Sequence, residues 1–380
     1  MMNMAPTRQE ICRSTADALG RAAPGLPGLR AMIGLDGFVD EIVAVVDKRY
    51  DLDRYDPVES IAAMARKILG AAGESSNYEL VVKQRKLGGN GPIMANALAW
   101  LGLDVTYIGN LGHPHLDPVF REFAARAKVI SIAEPGHTDA LEFADGKLML
   151  CKTEPLNGVN WENLVAHVAR PELVALVGGS TLVGMVNWTM LPRMGEIWEK
   201  LLDEVLPQVP RGGRTLFIDL ADPEKRTRDD LRDALGTIAR FGDHVDVILG
   251  LNLKEATQVA DVLGLPDRAD REATIEEDTA AIRRALGLAC VVIHPRRAAA
   301  AATAAGSARF AGPFIAQPLI STGAGDHFNA GFCLGRILGL GLEESLCAGV
   351  ASSGYYVRTA RSATAAELAG FVADLPGPEG

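Results

Sequence analysis

From residue 91 to residue 295 the chain switches repeatedly between two hydrophobic rhythms. GPIMANALAWLG (91–102) and DPVFREFAARA (117–127) carry helical spacing. DVTYIGN (104–110), VISIA (129–133), STLVGMVN (180–187), RTLFIDLAD (214–222), VDVILGLN (245–252) and ACVVIHP (289–295) are short apolar runs, several ending in polar residues. Further helices are expected around 190–205, 229–240 and 252–263. Such runs suit strands buried on both faces. Strand–helix alternation predicts an α/β fold, a mostly parallel central sheet with helices on both faces. In sheets of this kind ligands sit beyond the carboxyl ends of the strands. That edge should gather Asp36, Asn187, Asp219, Asp222, Asn252 and Asp326.

Other segments break the alternation. RAMIGLD (30–36) reads as a strand delivering Asp36 to its end. VDEIVAVVD (39–47) and YELVVKQRK (78–86) read as strands, and DALEFADGKLMLCK (139–152) as a hairpin turning at Asp145-Gly146. These three predict a small β-lid over one end of the main sheet. PVESIAAMARKILGAAG (57–73) reads as a helix, and helices near 325–339, 342–358 and 364–373 close the chain. Residues 7–23 form a further predicted helix, placed in an N-terminal extension spanning 1–29. The α/β domain then covers 30–373, followed by a tail, 374–380.

Composition narrows the function. The chain has 380 residues, 48% apolar and 23% charged, enough to bury a full core in one large domain or two ordinary ones. No uncharged apolar stretch approaches the ~18 residues of a membrane span. MMNMAPTRQEICRS has no apolar leader, and Cys12, Cys151, Cys290, Cys333 and Cys347 form no C-x-x-C. A cytoplasmic protein with reduced thiols is expected. A net charge of −10 argues against nucleic acid as the main partner. It leaves an anionic small ligand open, because local donors bind phosphates.

The local feature with the most chemistry is LISTGAGDHFNAGFCLGRILGLG (319–341). A helix start leaves about four backbone N–H groups without partners, and the helix dipole favours negative charge there. Glycines let those amides approach a phosphate closely. Gly323, Ala324 and Gly325 can therefore hold an anion or a transferring phosphoryl group, and Asp326 can accept a proton from an attacking hydroxyl. The same residues also suit a plain glycine turn with Asp326 as N-cap. A Rossmann fingerprint would need glycine where Phe328 stands, and no G-x-x-x-x-G-K-[ST], G-x-S-x-G or H-E-x-x-H occurs. His113 and His115 have no neighbouring metal-ligand partners in sequence and read as loop residues. KLGGNGPIMANALAWLG (86–102) repeats the design with Gly88, Gly89 and Asn90, an amide suited to a polyhydroxyl ligand.

Taken together, these segments resemble the ribokinase, or PfkB, family of carbohydrate and nucleoside kinases, from about residue 30 to 373. Gly88–Asn90 resembles that family's Gly-Gly-Asn segment. Ser321–Gly331 resembles its C-terminal Gly-Ala-Gly-Asp signature, with one residue fewer between Thr322 and Gly323. Asn252-Leu253-Lys254-Glu255 resembles its Asn-x-x-Glu, and IDLADPEKR (218–226) its Asp-x-Asn-x-Arg, with Asp222 and Arg226. The resemblance implies a ribokinase-like fold and a sugar kinase that moves the γ-phosphate of ATP to a primary hydroxyl. It assigns Asp326 as general base and Gly323, Ala324 and Gly325 as anion hole. Asp36, Asp40, Gly89, Asn90 and, more weakly, Asn187 would hold the sugar. Asn252, Glu255, Arg296 and Thr322 would serve the nucleotide, and Asn252 and Glu255 would hold Mg²⁺ through its waters. A monovalent cation is a further option in this family.

One turn departs from the family. His294-Pro295-Arg296-Arg297 replaces the usual Thr-x-Gly or Lys-x-Gly turn that contacts nucleotide phosphates. Pro295 removes a donor, and Arg296 or Arg297 offers charge in its place. Two alternatives remain: a nucleoside kinase, with Trp188 or Phe38 against the base, and a non-catalytic sugar- or nucleotide-binding regulator. The N-terminal helix and the insertion at 48–77 exceed a minimal member, and a cap on the site or a homodimer contact are their two expected uses.

Overall fold

A computed structural model describes residues 6–378. The leader reading at residues 1–5 and the last two residues of the expected tail lie outside them. The strands are β1 (Arg30–Leu35), β2 (Phe38–Arg49), β3 (Tyr55–Pro57), β4 (Leu80–Gly88), β5 (Asp104–Gly109), β6 (Lys128–Ser131) and β7 (Gly136–Phe143). Then follow β8 (Gly146–Lys152), β9 (Leu182–Met185), β10 (Thr215–Asp219), β11 (Asp246–Leu251), β12 (Cys290–Ile293), β13 (Ala298–Thr303) and β14 (Gly306–Ala311). Nine of them form one sheet in the order β14-β13-β12-β11-β10-β9-β1-β5-β6. The pairings from β12 through β6 are parallel, and β13 and β14 add an antiparallel edge.

Strand side chains alternate between faces, so each strand feeds two cores. On one face Met32, Val183, Leu216, Leu249 and Val291 pack with helices 161–167, 170–179, 194–200, 228–241, 253–262 and 275–286. On the other, Ile33, Leu182, Phe217, Ile248 and Val292 pack with helices 8–22, 90–101, 324–337, 342–359 and 365–373. This is the ribokinase-like α/β architecture. Both chemistry-bearing helix starts, at Asn90 and Ala324, belong to the second face and meet at the carboxyl edge of the strands.

The remaining strands make a five-stranded sheet ordered β3-β2-β7-β8, with β4 on the other side of β2. β2 pairs antiparallel with β4 and parallel with β7, so the pieces at 39–47, 78–86 and 139–152 join one element. The hairpin turns at Ala144-Asp145, because Phe143 pairs with Gly146. The helix expected over 57–73 is shorter, Ile61–Gly70: Pro57 is taken into β3, and Ser60 caps the helix instead. The N-terminal helix Arg8–Ala22 opens with a Thr7/Glu10 capping box and packs on helices 365–373 and 342–359. Arg8 ties it to the carbonyls of Leu375 and Pro376. Among the described residues no helix is long and apolar enough to cross a membrane.

Candidate active site

Asp36 follows β1 directly and is fully buried. Its Oδ2 accepts from the Asn90 amide at 2.9 Å and from Asn187 Nδ2 at 2.7 Å, and its Oδ1 accepts from the Gly91 amide at 2.8 Å. It therefore plugs the start of helix Asn90–Leu101 from inside. Burial raises its carboxyl to about 6, against these three donors. Gly89 (φ +95°) and Gly91 permit the approach, since a Cβ on either would strike the Asp36 carboxylate. Asp36, expected from the sequence as a sugar contact, is in this structure an interior hub that accepts three hydrogen bonds.

The hub aims other groups. Asn187 is held in a left-handed backbone conformation (φ 63°), with its Nδ2 on Asp36. Asn90 turns its side chain outward, and its Nδ2 donates to Asp326 Oδ1 at 3.0 Å. That bond joins the two glycine-turn segments, 236 residues apart in sequence. Asp40, in β2, lies against Gly88 and beside Thr138. Burial raises its carboxyl, with the Lys86 ammonium and the Thr138 hydroxyl opposing.

Asp326 stands in the first turn of helix Ala324–Ile337 and is 6% exposed. Burial and then the Asp219 charge push its carboxyl well above the ordinary range. Gly323 precedes the helix in the left-handed region (φ +91°). Of the expected anion-hole amides, Ala324 is already engaged: its N–H donates to the Ser321 carbonyl at 3.2 Å and closes the turn. The Gly323 and Gly325 amides have no acceptor among the described residues, so they are the free donors of this turn.

Asn252 and Glu255 form a reciprocal capping box. Asn252 Oδ1 accepts from the Glu255 amide at 3.0 Å, and Glu255 Oε2 accepts from the Asn252 amide at 2.8 Å. Glu255 Oε1 takes the Asp222 amide at 2.9 Å. Burial, and next the Asp219 charge, lift Glu255 to about 8. Asp219, at the end of β10, is buried and raised to about 6 for the same first reason. It accepts from Asn329 Nδ2 at 2.9 Å, while Asn329 Oδ1 is buried with no partner.

A cavity of about 930 Å³ opens beside these groups. It is lined by Asn252, Lys254, His294–Arg297, Phe314, Ala324, Gly325 and Phe328, among others. Arg296, expected from the sequence near the nucleotide, lines this cavity. Thr322 and Glu255 do not line the cavity; Thr322 instead gives its carbonyl to Tyr356. Arg297 lays its guanidinium 3.8 Å from the Phe314 ring centroid, and His294 stacks on Phe328.

Sequence reading places Asp219 at this edge without giving it a role, and misses Asn329. The Asp-x-Asn-x-Arg match falls on Asp222 and Arg226, yet Asp222 pairs with Lys254 at 2.9 Å and Arg226 holds the carbonyls of Thr189, Trp188 and Leu191. The available signal was Asn329, three residues after Asp326 and hence one helical turn along the same face.

A sequence profile described as prokaryotic ketohexokinase matches residues 10–375. The chain belongs to the prokaryotic ketohexokinase family. A ketohexokinase of Haloferax volcanii is 31% identical over 369 residues, 96% of each chain. Among solved structures, the phosphofructokinase-2 of Escherichia coli in complex with fructose-6-phosphate superposes with a TM-score of 0.63 at 14% identity, covering 91% of this chain and 98% of that one. The Arabidopsis thaliana ribokinase complexed with ribose and ATP gives 0.59 at 16% identity, covering 92% and 96%. These structural likenesses establish the fold. The ketohexokinase relationship makes the protein an ATP-dependent carbohydrate kinase, which removes the non-catalytic regulator as a reading.

Proposed function

We propose that this kinase phosphorylates a primary hydroxyl of a ketohexose, with Asp326 as general base. The observation that carries the assignment is the Asn90–Asp326 hydrogen bond at 3.0 Å, beside two unsatisfied glycine amides and the 930 Å³ cavity. Proton acceptance, anion binding and nucleotide space converge there. The sugar class follows the Haloferax ketohexokinase.

In this mechanism Asp40, Asn90 and Asn187 hold sugar hydroxyls, while Asp36 and Gly89 set the positions of Asn90 and Asn187. Asp326 takes the hydroxyl proton as the oxygen attacks. The Gly323 and Gly325 amides receive charge on the oxygens of the moving phosphoryl group, which in such transition states is only loosely bonded to the attacking hydroxyl oxygen and the departing ADP oxygen. Lys254 and Arg296 offer cationic partners to the nucleotide phosphates. Raised carboxyls at Asp219 and Glu255, together with the unpartnered Asn329 Oδ1, fit a hydrated Mg²⁺ nearby, whose waters Asn252 and Glu255 would contact. Bound there, Mg²⁺ would neutralise phosphate charge. The small sheet, carrying Asp40, acts as a lid that excludes water from the sugar.

A nucleoside acceptor loses its expected pocket. Trp188 is 4% exposed and lies under the Arg226 guanidinium, and Phe38 is 5% exposed against Gly136. Both are core residues. The deciding experiment measures ATP consumption with fructose, other ketohexoses, aldohexoses, ribose and adenosine, wild type beside Asp326→Asn. Turnover best with ketohexoses and lost in the variant supports the proposal. Preference for adenosine or an aldohexose overturns the substrate class.

A further inference from the structure

The turn that carries the free amides is gripped from outside. Tyr356, on helix Leu342–Thr359, donates its phenol to the Thr322 carbonyl at 3.1 Å. The His327 ring stacks on Tyr356 with centroids 3.7 Å apart and planes 14° from parallel. His327 Nδ1 lies 2.8 Å from the Gly323 carbonyl, and its Nε2 lies 2.9 Å from Ser362 Oγ. Ser362 in turn accepts from Asn96 Nδ2 at 3.3 Å, on the helix that begins at Asn90.

These contacts set the protonation pattern. A carbonyl only accepts, so Nδ1 carries the hydrogen and Nε2 accepts from Ser362. The ring is neutral, and burial pushes its pKa down to about 4. Burial likewise pushes the Tyr356 phenol up to about 12, so it keeps its donor hydrogen. Both carbonyls of the Thr322-Gly323 pair are thus tied to side chains, and that of Gly323 also accepts the His327 backbone amide at 3.1 Å. In a trans peptide the N–H points opposite to the preceding C=O. Fixing the Thr322 carbonyl on Tyr356 fixes the direction of the Gly323 amide. Fixing the Gly323 carbonyl on His327 turns the Ala324 amide to Ser321 and leaves Gly325 as the first free donor along the helix.

We propose that Tyr356 and His327 are positioning residues that hold the anion-binding turn Thr322–Gly325 rigid, so that its free amides meet the phosphoryl group without reorganising. A glycine-rich turn is otherwise soft. Donors aimed beforehand at developing charge act mainly in the transition state, so their loss shows in kcat rather than in KM. The inference rests on the kinase reading above, and its test separates the two.

Tyr356→Phe keeps the ring and its stack and removes only the phenol donor. We expect kcat to fall roughly 10- to 100-fold, below the ~10²–10³ of deleting a donor outright, with both KM values within about two-fold. His327→Gln, which retains a donor and an acceptor, should keep most of kcat, whereas His327→Leu should lose as much as Tyr356→Phe. Hydrogen exchange over residues 316–328, without substrates, should quicken in Tyr356→Phe and His327→Leu while other segments stay unchanged. Wild-type kcat with unchanged exchange in Tyr356→Phe overturns the clamp. So does a lowered Tm with both KM values raised, which marks the pair as core packing. A wild-type protein inert toward every sugar defeats the kinase reading, and the exchange measurement still decides the clamp.

Discussion

Helices Asn90–Leu101 and Ala324–Ile337 begin alike, each with a glycine at positive φ and a polar side chain in its first turn. Their ends differ. The first is filled from below by Asp36, which takes the Asn90 and Gly91 amides. The second keeps the Gly323 and Gly325 amides open, and its nearest carboxylate, Asp326, is held off to one side by Asn90. A glycine turn ahead of a helix is thus a scaffold in one place and a reaction centre in the other. What separates them is whether the chain supplies its own anion. In the proposed mechanism the filled start builds the acceptor side, and the open start receives the phosphoryl group.

The largest expected effect breaks the open end. Asp326→Asn should cut kcat by roughly 10²–10⁴ while leaving the sugar KM near wild type. Its Tm should hold or rise, because the change removes a carboxyl crowded by Asp219 and Asp36. Steady-state kinetics with a thermal melt checks both. Asp36→Asn breaks the filled end. An amide there sets an N–H₂ against backbone donors and should cost roughly 1–3 kcal/mol in urea unfolding, with the sugar KM raised as Asn90 and Asn187 drift.

A matched glycine pair sharpens the contrast. Gly323→Ala puts a Cβ 3.2 Å from Ile93 and 3.3 Å from the Tyr356 hydroxyl, at φ +91°. Gly89→Ala puts one 2.8 Å from Asp36 Oδ2, at φ +95°. Each forces a non-glycine residue to positive φ, at about 1–3 kcal/mol. The first should lower kcat chiefly, the second stability and sugar affinity; equal kinetic profiles would erase the distinction.

The smallest effect is a pH slope. Asp36 and Asp219 (about 6) and Glu255 (about 8) hold protons more tightly folded than unfolded. The native state therefore binds more protons between the ordinary carboxylate range, near pH 4, and about pH 8. Their contribution to stability is full at the acid end and is lost as pH rises through that window. Without Mg²⁺, Tm should drop from pH 6 to pH 8, and Glu255→Gln should flatten the drop.

Much of this was legible in sequence because it rests on local rules. Strand–helix alternation gave the parallel sheet, and a glycine turn with an adjacent carboxylate marked the open helix start. Asn252-x-x-Glu255 was visible too, although its side chains serve first as a capping box. What escaped was set by distant contacts. Asp36 reads as a sugar ligand at a strand end, and its bonds to Asn187 and to the start of helix Asn90–Leu101 are not visible in the sequence. Asp219 and Asp222 look equivalent in IDLAD, and only packing against Asn329 separates them. Ala298–Ala302, five alanines that favour a helix by propensity, form strand β13 because β12 and β14 bury them on both sides.

The place where β2 leaves the main sheet has a mechanical result. Only Asp36 and Gly37 separate β1 from β2, and Gly88-Gly89 make the return from β4 into helix Asn90–Leu101. Two of the four connections of the small sheet to the rest of the chain therefore lie beside Asp36 and Asn90, in the walls of the proposed sugar site. A twelve-residue strand extends about 40 Å at ~3.3 Å per residue, so a tilt of ~10° sweeps its far tip by about 7 Å. Asp40, two residues into the strand, moves by only about 1 Å on the same lever. Such an arm can swing wide to admit solvent and solute while its grip on the hydroxyls stays almost in register.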